Sequence, residues 1–184
     1  MSDLEAQEPA QITIPAIAAD GSLFPMEKME AHRTGQLHLA ISVFVLSPNG
    51  DLLIQQRALH KYHCGAQWAN TCCSHPHWGE DVATAANRRL QEELGFELPL
   101  EAKGVIKYRA DVGNGLIEHE RVHMFRGFAE PQSLRLQLNE EEVAQVKWIS
   151  LAALQSQMAR EPEHFTPWFR IYVSNFMSLW AQAA

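Results

Sequence analysis

The chain has 184 residues, 46% of them hydrophobic and 20% charged, with 15 Lys+Arg against 22 Asp+Glu for a formal net charge of −7. That length suits one domain spanning 1–184 with a proper core, and the acidic balance argues against a nucleic-acid partner, which calls for a basic face. Three Cys, of which Cys72 and Cys73 are adjacent, cannot frame a disulfide scaffold and fit a reducing compartment.

The first ten residues, MSDLEAQEPA, are polar and are expected to form a disordered tail. They lack the basic-then-apolar design of a leader, so a cytoplasmic protein is expected. ITIPAIA alternates weakly into the turn signal Asp20-Gly21-Ser22, and a short helix is predicted over 26–33, closed by Gly35. The apolar run 37–46 reads as a buried strand; at ten residues it is too short to span a bilayer, and no membrane partner is expected. Pro48-Asn49-Gly50 marks a hairpin turn and DLLIQQ the returning strand. A loop over 58–67 leads to one short strand around WANTCC. Good helix formers with an apolar set at Val82, Ala86, Leu90 and Leu94 predict a helix over 81–94, capped by Asp81 and stopped by Gly95. Strands over 105–111 and 116–125, joined by Gly113-Asn114-Gly115, are followed by a strand over 143–149 and helices over 151–160 and 167–182. Strands and helices mix without regular βαβ alternation, which describes an α+β domain with a mixed sheet flanked by helices.

Nine His are many for this length, and eight lie between His32 and His123. Histidine is the commonest metal ligand, though exposed His is often incidental. In LIEHERVHMF the strand period puts Glu118 and Glu120 on one face with Leu116, Val122 and Met124. Two carboxylates on an apolar face are unfavourable unless a cation sits between them; the alternative is a solvated strand edge. His119 and His123 then point to the opposite face as surface residues. CCSHPHWGE sets Cys73, His75 and the rigid Pro76 close together, without the paired C-x-x-C spacing of a zinc ribbon. Cys64 reads as structural or incidental. On the helix, spacing of four pairs Arg88 with Glu92 and Arg89 with Glu93. These are either surface ion pairs, or Arg89 and Glu93 address a metal–phosphate unit together. Lys28, Arg57 and Lys61 are loop cations, and Trp168 in FTPWFR reads first as core. Pattern alone supports a metal-dependent enzyme acting on a phosphorylated small molecule.

In this order, WANTCCSHP, RRLQEELG, YRADVGNGLIEHE and TPW resemble the signatures of type I isopentenyl diphosphate isomerases, which have the Nudix fold. The stretch from Ser74 to Phe96 is similar to the Nudix box G-x5-E-x7-R-E-U-x-E-E-x-G-U, with two departures: Ser74 at the first Gly, and Arg89 where hydrolases have a metal-holding Glu. The isomerases carry Arg there. The resemblance implies that the chain interconverts isopentenyl and dimethylallyl diphosphate in isoprenoid biosynthesis. It implies that His32, His38, His75, Glu118 and Glu120 ligate one divalent metal, Mn or Mg, with Zn an alternative. Cys73 and Glu120 would be catalytic, assisted by Tyr108, with Cys72 a bystander. Lys28, Arg57, Lys61 and Arg89 would bind the diphosphate, Glu93 would hold an Mg that arrives with it, and Trp168 would line the pocket. His32 and His38 are six apart where bacterial members have seven. A monomer or weak homodimer is expected. Two rivals are a Nudix pyrophosphohydrolase, which Arg89 opposes, and a non-catalytic module that has kept the fold.

Overall fold

The computed structural model describes residues 12–181; the expected tail over the first ten residues lies outside them. Strands β1 (Thr13–Ile17) and β2 (Leu23–Glu27) form an antiparallel pair leading into helix α1 (Lys28–Thr34) and strand β3 (His38–Leu46). Strands β4 (Leu52–Arg57), β5 (Trp68–Ala69) and β6 (Cys72–Ser74) precede helix α2 (Val82–Leu94). The long hairpin of β7 (Glu101–Gly113) and β8 (Leu116–Phe128) is followed by β9 (Val143–Ile149), α3 (Leu151–Arg160), α4 (Pro167–Asn175) and α5 (Met177–Trp180). The sheet is mixed, with β3 running parallel to β8 and the other pairings antiparallel, in agreement with the α+β expectation.

Every residue of β3 is buried. One edge pairs with β8 along its whole length, from His38↔Glu120 to Leu46↔Phe128. The other edge is shared in turn by β1 at His38, β6 at Ile41 to Val43 and β4 at Leu46. β3 and β4 therefore diverge after the hairpin, and WANTCC crosses the gap as two strands, not one. The crossing is held by side chains. Asn70 Nδ2 donates to Ser42 Oγ and Val43 O (both 2.9 Å), while Thr71 Oγ1 donates to Leu53 O (2.6 Å) and accepts from Val45 N (2.9 Å).

Helix α2 lies on one face of the sheet, where Ala86, Leu90 and Leu94 pack against Ile41, Val43 and Cys72. Burying each leucine contributes roughly 2 kcal/mol. Asp81 caps its start, accepting from Ala83 N and Thr84 N at 3.0 Å, and Gly95 ends it at φ 80. A side chain at Gly95 would strike the Gln137 backbone at 2.9 Å. The opposite face packs against α3, α4 and α5.

Several boundaries differ from expectation. Strand β2 went unpredicted because Pro25 interrupts LFPME; as an edge strand paired only with β1, it tolerates the missing N–H. Helix α1 begins two residues later than 26, because Glu27 acts as its cap and accepts from Met29 N and Glu30 N. The β7–β8 hairpin is longer at both ends than its apolar pattern indicated, and its tight turn is Asn114-Gly115. The last predicted helix breaks at Phe176, which lets Trp180 turn inward and stack on Phe44 at 4.3 Å.

Candidate active site

Helix α1, the start of β3, the end of β6 and the middle of β8 converge at one end of the sheet. The β8 burial pattern alternates, placing Glu118 and Glu120 inward with Leu116, Val122 and Met124. Both carboxylates are buried, at 4% and 6% exposure, so the solvated-edge alternative fails. His32 ends α1, His38 opens β3, and His75 follows β6 on the loop before α2. Arg88 clamps that loop, donating through Nε and NH2 to Glu80 (2.7 and 2.8 Å) and through NH2 to His75 O at 3.5 Å. The short His32–His38 spacing is absorbed between α1 and β3, where Gly35 takes φ 66.

The imidazoles are oriented from behind. His32 Nδ1 sits 2.6 Å from Lys28 O and His38 Nδ1 2.8 Å from Gln36 O, which assigns the proton to Nδ1 and turns each Nε2 lone pair inward. His32 Nε2 faces Glu118 Oε2 at 3.3 Å; His75 Nε2 lies 3.2 Å from His38 Nε2 and 3.0 Å from Glu120 Oε1. Ligand atoms of His32, His38, His75 and Glu118 all fall within 4.8 Å of one another. Glu120 adjoins the group, with Oε1 3.7 Å from His38 Nε2. Burial lowers His38 to about 4 and holds His75 well below the usual imidazole range, so both are neutral at pH 7. Neutral imidazoles turned toward two carboxylates leave negative charge buried, and His32 Nε2 and Glu118 Oε2 have no hydrogen-bond partner. This donor set fits a divalent cation.

A pocket with a cavity volume of about 40 Å³ opens beside this cluster. Cys73, His75, Glu93, Tyr108, Glu118, Glu120 and Trp168 line it together with Lys28, Arg57, Lys61 and Arg89, while His32 and His38 lie fully buried behind it. The residues expected to bind metal, bind diphosphate or act as catalysts thus lie together at this pocket or directly behind it. Cys73 Sγ donates to Asn70 Oδ1 at 2.8 Å and lies 3.3 Å from Ser42 Oγ; burial pushes its thiol up to about 12, so it is a neutral acid. Tyr108 donates to Glu120 Oε2 at 2.7 Å. Burial and the neighbouring Glu118 charge raise Glu120 well above the carboxylate range. Burial would raise Glu118 too, but the neighbouring His32 and His63 imidazoles, 3.3 and 3.1 Å away, hold it well below.

The cations share the pocket mouth. Arg57 lies over the Trp168 ring at 5.4 Å, and Lys28 and Lys61 over Tyr62 at 5.2 and 5.6 Å. Burial lowers both lysines below their usual value. Both pairs anticipated on α2 form, Arg88 with Glu92 and Arg89 with Glu93, but Arg89–Glu93 is not a surface pair. Glu93 is 4% exposed and accepts from Arg89 NH2 at 2.5 Å and from Gln55 Nε2 at 2.9 Å.

Some pocket residues escaped the sequence reading. Tyr62 and His63 belong to a loop without periodicity, and Glu142, 2.7 Å from Lys61 Nζ, follows a run of solvated acids. Ser42 had a readable signal, being a hydroxyl inside the most apolar run, and Asn70 had none. His119 and His123 are half-buried rather than surface residues, and His119 Nδ1 meets Gly35 O at 3.0 Å.

A family profile described as NUDIX domain matches residues 36–169. The chain is 53% identical over 165 residues to an isopentenyl-diphosphate Delta-isomerase of Rhodobacter capsulatus, covering 89% of this chain and 92% of that protein. It is 53% identical to one of Dinoroseobacter shibae, covering 84% and 88%. The chain belongs to the isopentenyl-diphosphate Delta-isomerase family of NUDIX-domain proteins. Solved NUDIX structures share the fold at lower identity. A MutT protein from Methanosarcina mazei aligns at TM-score 0.61 with 14% identity, covering 77% of this chain and 94% of that one. A MutT NUDIX hydrolase from Burkholderia pseudomallei aligns at 0.59 with 21% identity, covering 77% and 98%. Isomerase-family membership agrees with Arg89 standing at the box position where hydrolases place a metal-holding Glu. Among the described residues, no helix is long and apolar enough to cross a membrane.

Proposed function

We propose that this pocket interconverts isopentenyl and dimethylallyl diphosphate by adding one proton to the alkene and removing another. The observation that carries the reading is the meeting, in a single pocket, of a neutral thiol (Cys73), a buried carboxyl bridged by Tyr108 (Glu120) and the cations Lys28, Arg57, Lys61 and Arg89. Protonation of the terminal CH2 carbon leaves a tertiary cation on the adjacent carbon. Loss of a proton from the carbon on the diphosphate side then places the double bond in its new position. Cys73 and Glu120 supply the acid and the base: one gives up the proton that the alkene gains, the other takes the proton that is lost, and proton exchange with solvent resets both before the next turnover.

The remaining residues keep that cation alive. Trp168, buried at 3% exposure, presents an aromatic surface worth about 2 kcal/mol to a desolvated cation. Tyr108 and the surrounding aromatic core exclude water that would trap it. Lys28, Arg57, Lys61 and Arg89 hold the diphosphate away from the reacting carbons, so binding energy orders the five-carbon chain without cleaving the phosphoanhydride. His32, His38, His75, Glu118 and Glu120 hold one divalent cation, which when bound supplies positive charge beside the Glu120 carboxyl. Four of these groups converge and Glu120 adjoins them; the ion they would hold is Mn or Mg, with Zn the competitor. Glu93 meets an Mg that enters with the diphosphate. Glu93 is held by Arg89 and Gln55 and is not among the converging His32, His38, His75 and Glu118, so it would serve a second ion rather than the tight one.

The test is product analysis. Purified protein given isopentenyl diphosphate and Mg is followed by proton and phosphorus NMR. Dimethylallyl diphosphate without free phosphate is expected; free phosphate without the isomer would instead identify a hydrolase.

A further inference from the structure

Glu118 is approached from two sides. Its Oε2 faces the metal cluster, 3.3 Å from His32 Nε2 and 4.0 Å from His38 Nε2. Its Oε1 lies 3.1 Å from His63 Nε2. His63 is buried with only 3% exposure, and apart from this close approach to Glu118 neither of its ring nitrogens has a hydrogen-bond partner. His63 does not join the converging group of His32, His38, His75 and Glu118.

The loop is built to aim this ring inward. Arg57 NH2 donates to His63 O at 3.2 Å, and the ring is wedged edge-on between Tyr62 (4.4 Å) and Trp168 (5.6 Å). The next residue, Cys64, has φ 51 and Ala66 has φ 62, left-handed backbone that non-glycine residues adopt at some strain. Strain of that kind persists where surrounding structure holds the segment in place for a purpose.

We propose that His63 is a positioning residue: its Nε2–H holds the outward oxygen of Glu118 so that the inward oxygen is presented to the divalent cation in a single orientation. The proposal rests on the reading of His32, His38, His75, Glu118 and Glu120 as a metal site. Carboxylate ligands are commonly fixed by an outer hydrogen bond, and losing such a partner weakens metal binding by about 10–100-fold. A free carboxylate would instead sample orientations in which both of its oxygens or neither faces the cluster.

Mn titration, with free Mn read by electron paramagnetic resonance, tests this on wild type, His63→Leu, His63→Gln and Glu118→Gln, alongside thermal unfolding of the metal-stripped proteins. Glutamine keeps an N–H donor at the reach of Nε2; leucine does not. His63→Leu is expected to bind Mn about 10–100-fold more weakly, while His63→Gln stays near wild type and all metal-stripped forms unfold alike. Mn affinity unchanged in His63→Leu, with Glu118→Gln impaired, would overturn the positioning role and leave the metal site standing. A His63→Gln as weak as His63→Leu would overturn it as well, since the donor would then not be what matters. A wild-type protein that binds no Mn at all would overturn the metal reading and this proposal with it.

Discussion

Adjacent residues of β6 enter two different environments. Cys72 faces α2 and joins Ile41, Val43, Leu90 and Leu94 in an apolar layer, with no exposure. Cys73, pointing the other way, meets Ser42, Asn70 and the pocket. The same division runs through β3 and β8, since a strand's period of two sends alternate side chains to opposite faces. The α2 side is packed so that the other side can hold groups the fold alone would not choose: buried imidazoles, carboxylates and lysines. The comparison teaches that one face supplies cohesion and the other tolerates local conflict, as is expected at functional sites.

The largest effect should come from the pocket side. Glu120→Gln is expected to lower kcat by about 10²–10⁴-fold, with substrate affinity retained, in a steady-state assay of the isomer. A parallel loss of unfolding free energy of the same size would erase the distinction between the faces. Next comes the packed side, where Leu90→Ala should destabilise by roughly 2–5 kcal/mol in urea titration, with kcat of the folded fraction unchanged. Removing metal with a chelator sharpens the contrast. It should lower the midpoint of thermal unfolding by the loss of about 2.7 kcal/mol if metal stood at 100 times its Kd, and re-addition of Mn should restore it. Asp81→Ala removes only the α2 cap and should cost about 1 kcal/mol, again leaving turnover per folded molecule intact.

Legibility in the sequence divides along similar lines. Elements that bury an apolar stripe were readable: α2 from Val82, Ala86, Leu90 and Leu94, β3 from its unbroken apolar run, β8 from its alternation. Elements defined by what they pair with were not. β2 contains Pro25 and exists because β1 lies beside it, and the split of WANTCC into β5 and β6 depends on where β3 and β4 part. The break at Phe176 follows from the place that Phe44 offers Trp180, which no local propensity records. In the site, residues carried by motifs were located by resemblance, and composition alone would have left Glu118 and Glu120 ambiguous between metal ligands and a solvated edge. His63 and Glu142 reach the pocket by loop geometry, so nothing in their spacing distinguishes them from their neighbours.

The most direct measurement is turnover of isopentenyl diphosphate in D2O, followed by NMR, for the wild type, Cys73→Ala and Cys72→Ala side by side. Dimethylallyl diphosphate carrying solvent deuterium should form with wild type and with Cys72→Ala and be lost with Cys73→Ala. Isomer formed by Cys73→Ala at the wild-type rate, or a Cys72→Ala protein that folds and binds metal yet forms none, would contradict the assignment of chemistry to one face and packing to the other.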